Sequence, residues 1–267
     1  MSHAQALIDA RYGTQTPAIP EALWNPVLES LLGHRSIRAF QETPLAKGIV
    51  PLLVAAAQSA PTTAHIQPWS VLVVEDAELR NKLAELSGGQ PHIRQAPLFL
   101  VWLLDFARLR RIAQRHGINP EGLSSLGTFE FGLGDALIAA QNTVVAAESL
   151  GLGTVYIGAF RRRTEEVWSL LDLPKEVLPV VGLAVGYPDP SKPSAVKPRL
   201  PQHLVAHHER YDEALLETDL EAYDQRFQDF LASQGQPRVP WTQQTAERIA
   251  APDTFSEHLK RIGFAIG

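Results

Sequence analysis

The longest run of apolar side chains unbroken by proline or glycine lies in PLFLVWLL, residues 97 to 104, and its length decides what it can be. A helix needs about 20 apolar residues to cross a bilayer, so this run spans no membrane. Within APLFLVWLLDF (96–106) it reads as a buried strand. SVLVVED (70–76), TVYIGAF (154–160) and VLPVVGLAVGYP (177–188) have the same character, each rich in apolar residues and bounded by polar residues, glycine or proline. Helical patterns separate these strands. GIVPLLVAAAQSA ends before Pro61, and AELRNKLAEL starts from Asp76 as cap and stops at Gly88-Gly89. A long apolar helix runs from Phe129 to Leu150, and EEVWSLLDL follows Thr164 as its cap. A further helix is expected from Glu21 to about Leu32, closed by Gly33, and two more near 212–233 and 255–262. Strands alternating with helices predict an α+β or α/β domain around a central sheet of about four or five strands.

Composition narrows the function. Of 267 residues, 45% are hydrophobic and 20% charged, as in a protein with a packed core. The net charge of −5 argues against a general nucleic-acid binder, so any anion site must be a local concentration of cations. With no cysteine, thiolate chemistry, disulfides and Cys-ligated metals drop out, and redox chemistry would have to come from a bound cofactor. MSHAQALIDARYG lacks the basic and apolar regions of a secretory leader, so a cytoplasmic location is expected. The chain has no GxGxxG between strand and helix, no GxxxxGK[ST] and no GxSxG, which sets aside the dinucleotide fold, the phosphate loop and the usual serine hydrolases. His203, His207 and His208 include an i, i+4 pair but no HExxH-type carboxylate, and no metal is assigned to them.

Four local patterns remain. HRSIRAF (34–40) places His34, Arg35, Ser36 and Arg38 within five positions, and the forked donors of arginine suit phosphate. The plain alternative is a basic loop with solvated arginines. In KPRLP (197–201), Lys197 and Arg199 flank Pro198, so the backbone is extended and both side chains fall on one side. Two such clusters in an anionic chain favour one shared anion, most simply a phosphate monoester. Gly158 and Ala159 in TVYIGAF either leave N–H groups open to a planar ligand or mark a bulge. Gln90 in SGGQPH is a surface residue after a helix cap, or an amide for the edge of a heterocycle. Arg161, Arg162 and Arg163 form a solvated face or a site for a nicotinamide phosphate.

The segments GHRSIRAF, LSGGQPHIRQAP, AAESLGLGTVYIGAFR, LPVVGLAVGYP and KPRLP, in this order, resemble the nitroreductase-like flavin reductases, especially the oxygen-insensitive NADPH nitroreductases and FMN reductases. The resemblance implies an α+β fold: a three-layer α/β/α domain with a central, mostly antiparallel sheet, assembled as a homodimer. It implies an N-terminal extension over 1–22, an FMN-binding domain over 23–201, and tail helices over 202–267 that pack on the dimer. FMN would be the cofactor and NADPH or NADH the reductant. The acceptor would be a small molecule (a nitroaromatic, quinone or flavin) reduced in a ping-pong hydride mechanism. No nucleic acid or membrane partner is implied. The alternative is a flavin-binding sensor or carrier without turnover.

By the same resemblance, His34, Arg35, Ser36, Ile37 and Arg38 contact FMN, with Arg38 at the pyrimidine edge, where the reduced ring carries negative charge. Thr62 in APTTAH and Gln90 touch the flavin. Tyr156, Ile157, Gly158 and Ala159 bring their backbone to the ring near N5. Lys197, Pro198 and Arg199 bind the phosphate. No protein acid or base is assigned a catalytic role. The chain departs from the family pattern at PTTA, where serines are usual, at His65, where a large aromatic is usual, and at Ala159, which replaces a glycine. In SQGQPRVPW only Arg238 remains of an arginine-rich loop for NADPH.

Overall fold

The computed structural model describes residues 3–13, 20–250 and 255–264. Its α-helices are α1 (His3–Tyr12), α2 (Pro26–Gly33), α3 (Ile49–Gln58), α4 (Ala77–Leu86), α5 (Pro91–Gln95), α6 (Phe106–Arg115), α7 (Leu126–Ser149), α8 (Thr164–Leu170), α9 (Glu221–Ser233), α10 (Trp241–Ile249) and α11 (Phe255–Arg261). The strands are β1 (Trp69–Val74), β2 (Leu98–Asp105), β3 (Gly153–Ile157) and β4 (Val177–Gly186). The chain divides into two compact units, residues 1–35 with 193–252 and residues 36–192 with 253–267.

The second unit holds the sheet, in the order β1-β2-β4-β3 with every pairing antiparallel. Its apolar strands have a direct cause. Along β2, Leu98, Leu100, Trp102 and Leu104 join a core with α3, α7 and α11, while Phe99, Val101 and Leu103 join a second core with α4, α5 and α8. Successive side chains point to opposite faces, and both faces are covered, so neither set can be polar. This is the expected α/β/α layering. Helix α7 lies close to the sheet because Gly132 leaves room for it: a Cβ there would sit 2.5 Å from Leu104 Cδ1.

Several boundaries differ from the sequence expectation. Helix α2 begins at Pro26 rather than Glu21, because the Asn25 side chain accepts the amides of Val27 and Leu28 at 3.0 and 3.1 Å. Strand β3 ends at Ile157, and residues 159–163 coil into a 3-10 turn. Thr164 opens α8 but does not cap it, since its hydroxyl donates to Arg161 O at 2.7 Å. The helix expected over 212–233 is a 3-10 turn, Glu213–Glu217, followed by α9, and α10 is additional. Asp76 caps α4 as expected, accepting the Leu79 amide at 2.6 Å.

In the first unit, Ile8 of α1 and Tyr223, Phe227 and Leu231 of α9 are buried, and Tyr223 meets Trp241 of α10 edge-on at 5.4 Å. Among the described residues no helix is long and apolar enough to cross a membrane.

One contact in the second unit sets where HRSIRAF runs. Ser36 bridges Thr154 in parallel, Ile37 N donates to Thr154 O at 2.9 Å, and Ile37 packs flat on Gly153. A Cβ on Gly153 would lie 2.5 Å from Ile37 Cγ1 and 2.7 Å from its Cβ. Gly153→Ala is expected to lower unfolding stability by about 1–3 kcal/mol through overpacking, read as a fall in the urea midpoint. Gly134→Ala, at an open position inside α7, is expected to hold or raise the midpoint. Equal midpoints for the two variants would show that Ile37 yields freely.

Candidate functional site

The first unit brings together two cation-bearing segments that lie far apart in sequence. Arg11, at the end of α1, is 5% exposed. Its Nε donates to Leu32 O at 3.2 Å, Nη2 to His34 O at 2.6 Å and Nη1 to Lys197 O at 3.2 Å. The planar fork of one guanidinium thus fixes the exit of α2 against the Lys197-Pro198-Arg199 segment. Arg199 N returns a hydrogen bond to Arg11 O at 2.8 Å. Arg35 and Arg199 are exposed, His34 is half-buried, and the Lys197 ammonium lies over the rings of Phe227 and Phe230, 5.7 Å from each centroid. Pro198 is buried and holds the segment extended. An open cleft of about 500 Å³ beside it is lined by Tyr12, Lys197, Arg199, Tyr223, Trp241 and Arg248, among others. Burial pushes the Tyr223 phenol above its ordinary range, against the opposing pull of Arg199 and Arg226. The patch is strongly cationic and polar at its surface, with aromatic walls.

The second unit holds the remaining predicted residues. Ile37 and Ile157 are core side chains, so only their backbones are available to a ligand. Arg38 is exposed, and its charge acts on His92, which is 5% exposed and has an Nε2 with no partner among the described residues. Gln90 precedes α5 on the same short stretch, and its Nε2 donates to Ser87 O at 2.9 Å. β3 is an edge strand, and the Ser36 bridge reaches it at Thr154. The backbone from Tyr156 to Ala159 lies beyond that bridge. Gly158 is exposed, and a Cβ built on it meets nothing within 4 Å. The Tyr156 hydroxyl donates to Gln141 Oε1 at 3.3 Å; desolvation, then the charge of Glu148, pushes its pKa well above the usual tyrosine range. It stays protonated.

Thr62 is already engaged. Its hydroxyl donates to Asp135 Oδ2 at 2.6 Å and accepts the Gln67 amide at 3.0 Å. The arginines after β3 are also engaged in part: Arg161 stacks on Phe255 at 4.6 Å and Arg163 pairs with Glu166. Arg238, in the first unit, pairs with Asp229 at 2.5 Å.

Sequence reading passed over three residues. Arg11 sat in a segment read as an extension; its signal was an arginine three positions from Ile8, on the same helix face. Asp135 is a lone carboxylate inside an apolar helix, which is a signal in itself. His92 lies within LSGGQPHIRQAP, where its neighbours in sequence give no sign of its burial. Burial, and then Arg38, lowers the pKa of His92 below its ordinary 6.5, so the folded state binds the proton more weakly than the unfolded chain. Stability is therefore complete above pH 6.5 and falls as pH drops below that value. The urea midpoint of the native protein is expected to fall more between about pH 7 and pH 5 than that of His92→Phe. Parallel profiles would remove His92 from this role.

Two family profiles and several known proteins match the chain. The profile of the nitroreductase family covers residues 31–187, and that of the nitroreductase family C-terminal domain covers residues 197–266. The NAD(P)H FMN reductase of Bacillus subtilis is 39% identical over 249 residues, 91% of this chain and 99% of that protein. The oxygen-insensitive NADPH nitroreductase of Salmonella typhimurium is 37% identical over 240 residues, 89% of this chain and 90% of that protein. The solved structure of NfrA1 from B. megaterium aligns with a TM-score of 0.85 at 37% identity, covering 90% of this chain and 100% of that one. The chain belongs to the nitroreductase family.

Proposed function

We propose that this protein is an FMN-dependent oxidoreductase that uses NADPH or NADH to reduce nitroaromatics, quinones or free flavin. The observation that carries the reading is the Arg11 guanidinium, whose hydrogen bonds to His34 O and Lys197 O hold two cationic segments of an anionic chain together. Family membership and the names of the relatives point the same way.

The residues fit FMN on two counts. His34, Arg35, Lys197 and Arg199 form a donor set suited to a phosphate monoester, with Arg11 fixing the backbone beneath them. The edge of β3 offers uncovered backbone at Gly158, and Arg38 with the orphaned Nε2 of His92 offers polar groups in search of a partner. When bound, FMN supplies two-electron chemistry, accepting from NAD(P)H and passing electrons to an acceptor in ping-pong order. The protein's own part is to bind and orient. His34, Arg35, Lys197, Pro198 and Arg199 receive the phosphate, and Ser36, next in sequence to Arg35, serves the ribityl chain. Ile37, Thr62, Gln90 and the backbone from Tyr156 through Ile157 and Gly158 to Ala159 receive the ring. Arg38 holds a permanent positive charge for the pyrimidine edge and favours the reduced, anionic form.

A homodimer is part of this proposal. Leu137 and Ile138 on α7 are 45% and 43% exposed, and Leu52 on α3 is 53% exposed, a set of large apolar side chains suited to a partner. The proposed domain limits (an extension over 1–22, the FMN domain over 23–201, a tail over 202–267) follow the same reading.

The first test is the visible spectrum of the purified protein, followed by anaerobic addition of NADPH and NADH in turn. Flavin bands that bleach with a nucleotide are expected. Bands that neither nucleotide bleaches would make the protein a carrier or sensor, and no uptake of added FMN would end the proposal. Arg199→Ala is expected to weaken FMN binding about tenfold or more, from the loss of a charge-assisted hydrogen bond worth about 1.5–3 kcal/mol. Arg38→Ala is expected to lower the flavin potential or FMN affinity, and unchanged values of both would remove its assigned role.

A further inference from the structure

Helix α6, FARLRRIAQR, carries four arginines in ten residues, and the fold employs only two of them. Arg110 makes a forked pair with Glu176. Arg108 donates to Ser70 Oγ at 3.0 Å, to Gln67 O at 2.6 Å and to Trp69 O at 2.7 Å, and it pairs with Asp105 at 3.3 Å. Asp105 is fully engaged by these neighbours, since it also accepts the Ser70 hydroxyl at 2.6 Å and the Arg108 amide at 3.0 Å. Arg111 and Arg115 are exposed, and neither has a hydrogen bond or ion pair among the described residues.

Positions 108, 111, 112 and 115 share one face of the helix, and like charges at this spacing weaken a helix. Nothing local calls for the arrangement. The opposite face is anchored: Phe106 is fully buried and Leu109 packs on the core with α3 and α7. The cationic face is one wall of an open cleft of about 470 Å³, within the range of about 300–1,000 Å³ usual for small-molecule sites. The cleft floor is apolar. Leu103, Leu173 and Val177 are 5%, 7% and 3% exposed, and Pro174 belongs to the same lining. Ile112, between the two unpaired arginines in sequence, is 48% exposed and lines the cleft with them.

This lining sorts ligands by their chemistry. An inorganic anion would pair with the arginines and leave the apolar floor wet. A neutral apolar molecule would cover the floor and leave two guanidinium groups without a partner. An anion with an apolar body satisfies both. We propose that the cleft is a binding site for an amphipathic carboxylate, such as a fatty or arylalkanoic acid. Arg111 and Arg115 hold the carboxylate through forked, charge-assisted hydrogen bonds, and the apolar body lies on Leu103, Leu173, Pro174 and Val177. The site uses none of the residues assigned to FMN, so it stands or falls separately from the flavin reading.

The test is a calorimetric titration of the native protein, as purified, with sodium decanoate below its micelle concentration. One decanoate per chain is expected to saturate. Hexanoate has the same head and four fewer methylenes, and is expected to bind about tenfold more weakly or worse. Arg111→Gln combined with Arg115→Gln is expected to weaken decanoate about tenfold or more, with an unchanged urea midpoint because both side chains are exposed and unpaired. Lys192→Gln removes an exposed charge outside the cleft and is expected to shift decanoate binding less than about twofold. Decanoate is expected to slow hydrogen exchange in peptides 106–116 and 171–177 of the native protein, but not of the double variant. Absence of saturable decanoate binding overturns the proposal. So does equal binding by the double variant, which would place decanoate in another apolar cleft, or acetate binding as tight as that of decanoate, which would mark a plain surface anion. Binding to phosphatidylglycerol vesicles with none to monomeric decanoate also overturns it, and would make this face a lipid-contact surface.

Discussion

The second unit depends on a sheet that is apolar on both faces. Strands β2 and β4 send alternate side chains into two separate cores, so no polar surface remains on either side of the central pair. An antiparallel sheet built this way can meet a polar ligand only at strand ends or along an exposed edge. That restriction explains why β3 matters. It is an edge strand, joined through Thr154 to the segment that begins at Ser36, and its far end opens at Gly158. The same restriction makes the close packing at Gly153 and Gly132 necessary, because the elements that carry function must be laid directly on a dry layer.

Within each unit, buried charges do what apolar packing cannot. Arg11 spans three carbonyls from two distant segments, and Asp135 gathers a hydroxyl, an amide and a second hydroxyl from one turn. Hydrophobic contact is non-directional and fixes distance better than conformation. Hydrogen bonds to a buried ion fix both, and their loss leaves desolvated partners behind. In each case the charge lies behind residues proposed to bind the cofactor, and holds the backbone that carries them.

Much of the fold was legible in the sequence because its signals are local. Apolar runs bounded by turn residues placed β1 from Ser70 onward and the whole of β2 and β4, and the Asp76 cap placed the start of α4. Where the reading slipped, a competing local bond was responsible. Asn25 moved the start of α2, and the departure of the chain at Gly158 shortened β3. The predicted site residues were legible as residue types, two arginine-bearing clusters and a glycine near a strand end. The state of their side chains was not. Thr62 shows the difference: its hydroxyl donates to Asp135, a partner that sequence places 73 positions away.

The sequence by itself determined that the chain has two-sided strands, that it belongs with proteins built on HRSIR, GGQ, YIG and KPR segments, and that redox chemistry needs a borrowed cofactor, since no cysteine is present. These follow from periodicity, composition and motif order, which need no third dimension. Only the tertiary structure decided that α1 supplies the arginine joining the segments at 34 and 197, and that Thr62 and Thr63 hang on a helix carboxylate. Both are long-range hydrogen bonds between one buried charged side chain and a few partners distant in sequence. A single hydrogen bond leaves no periodic trace in a sequence, so the geometry that shapes the site appears only when the chain is folded.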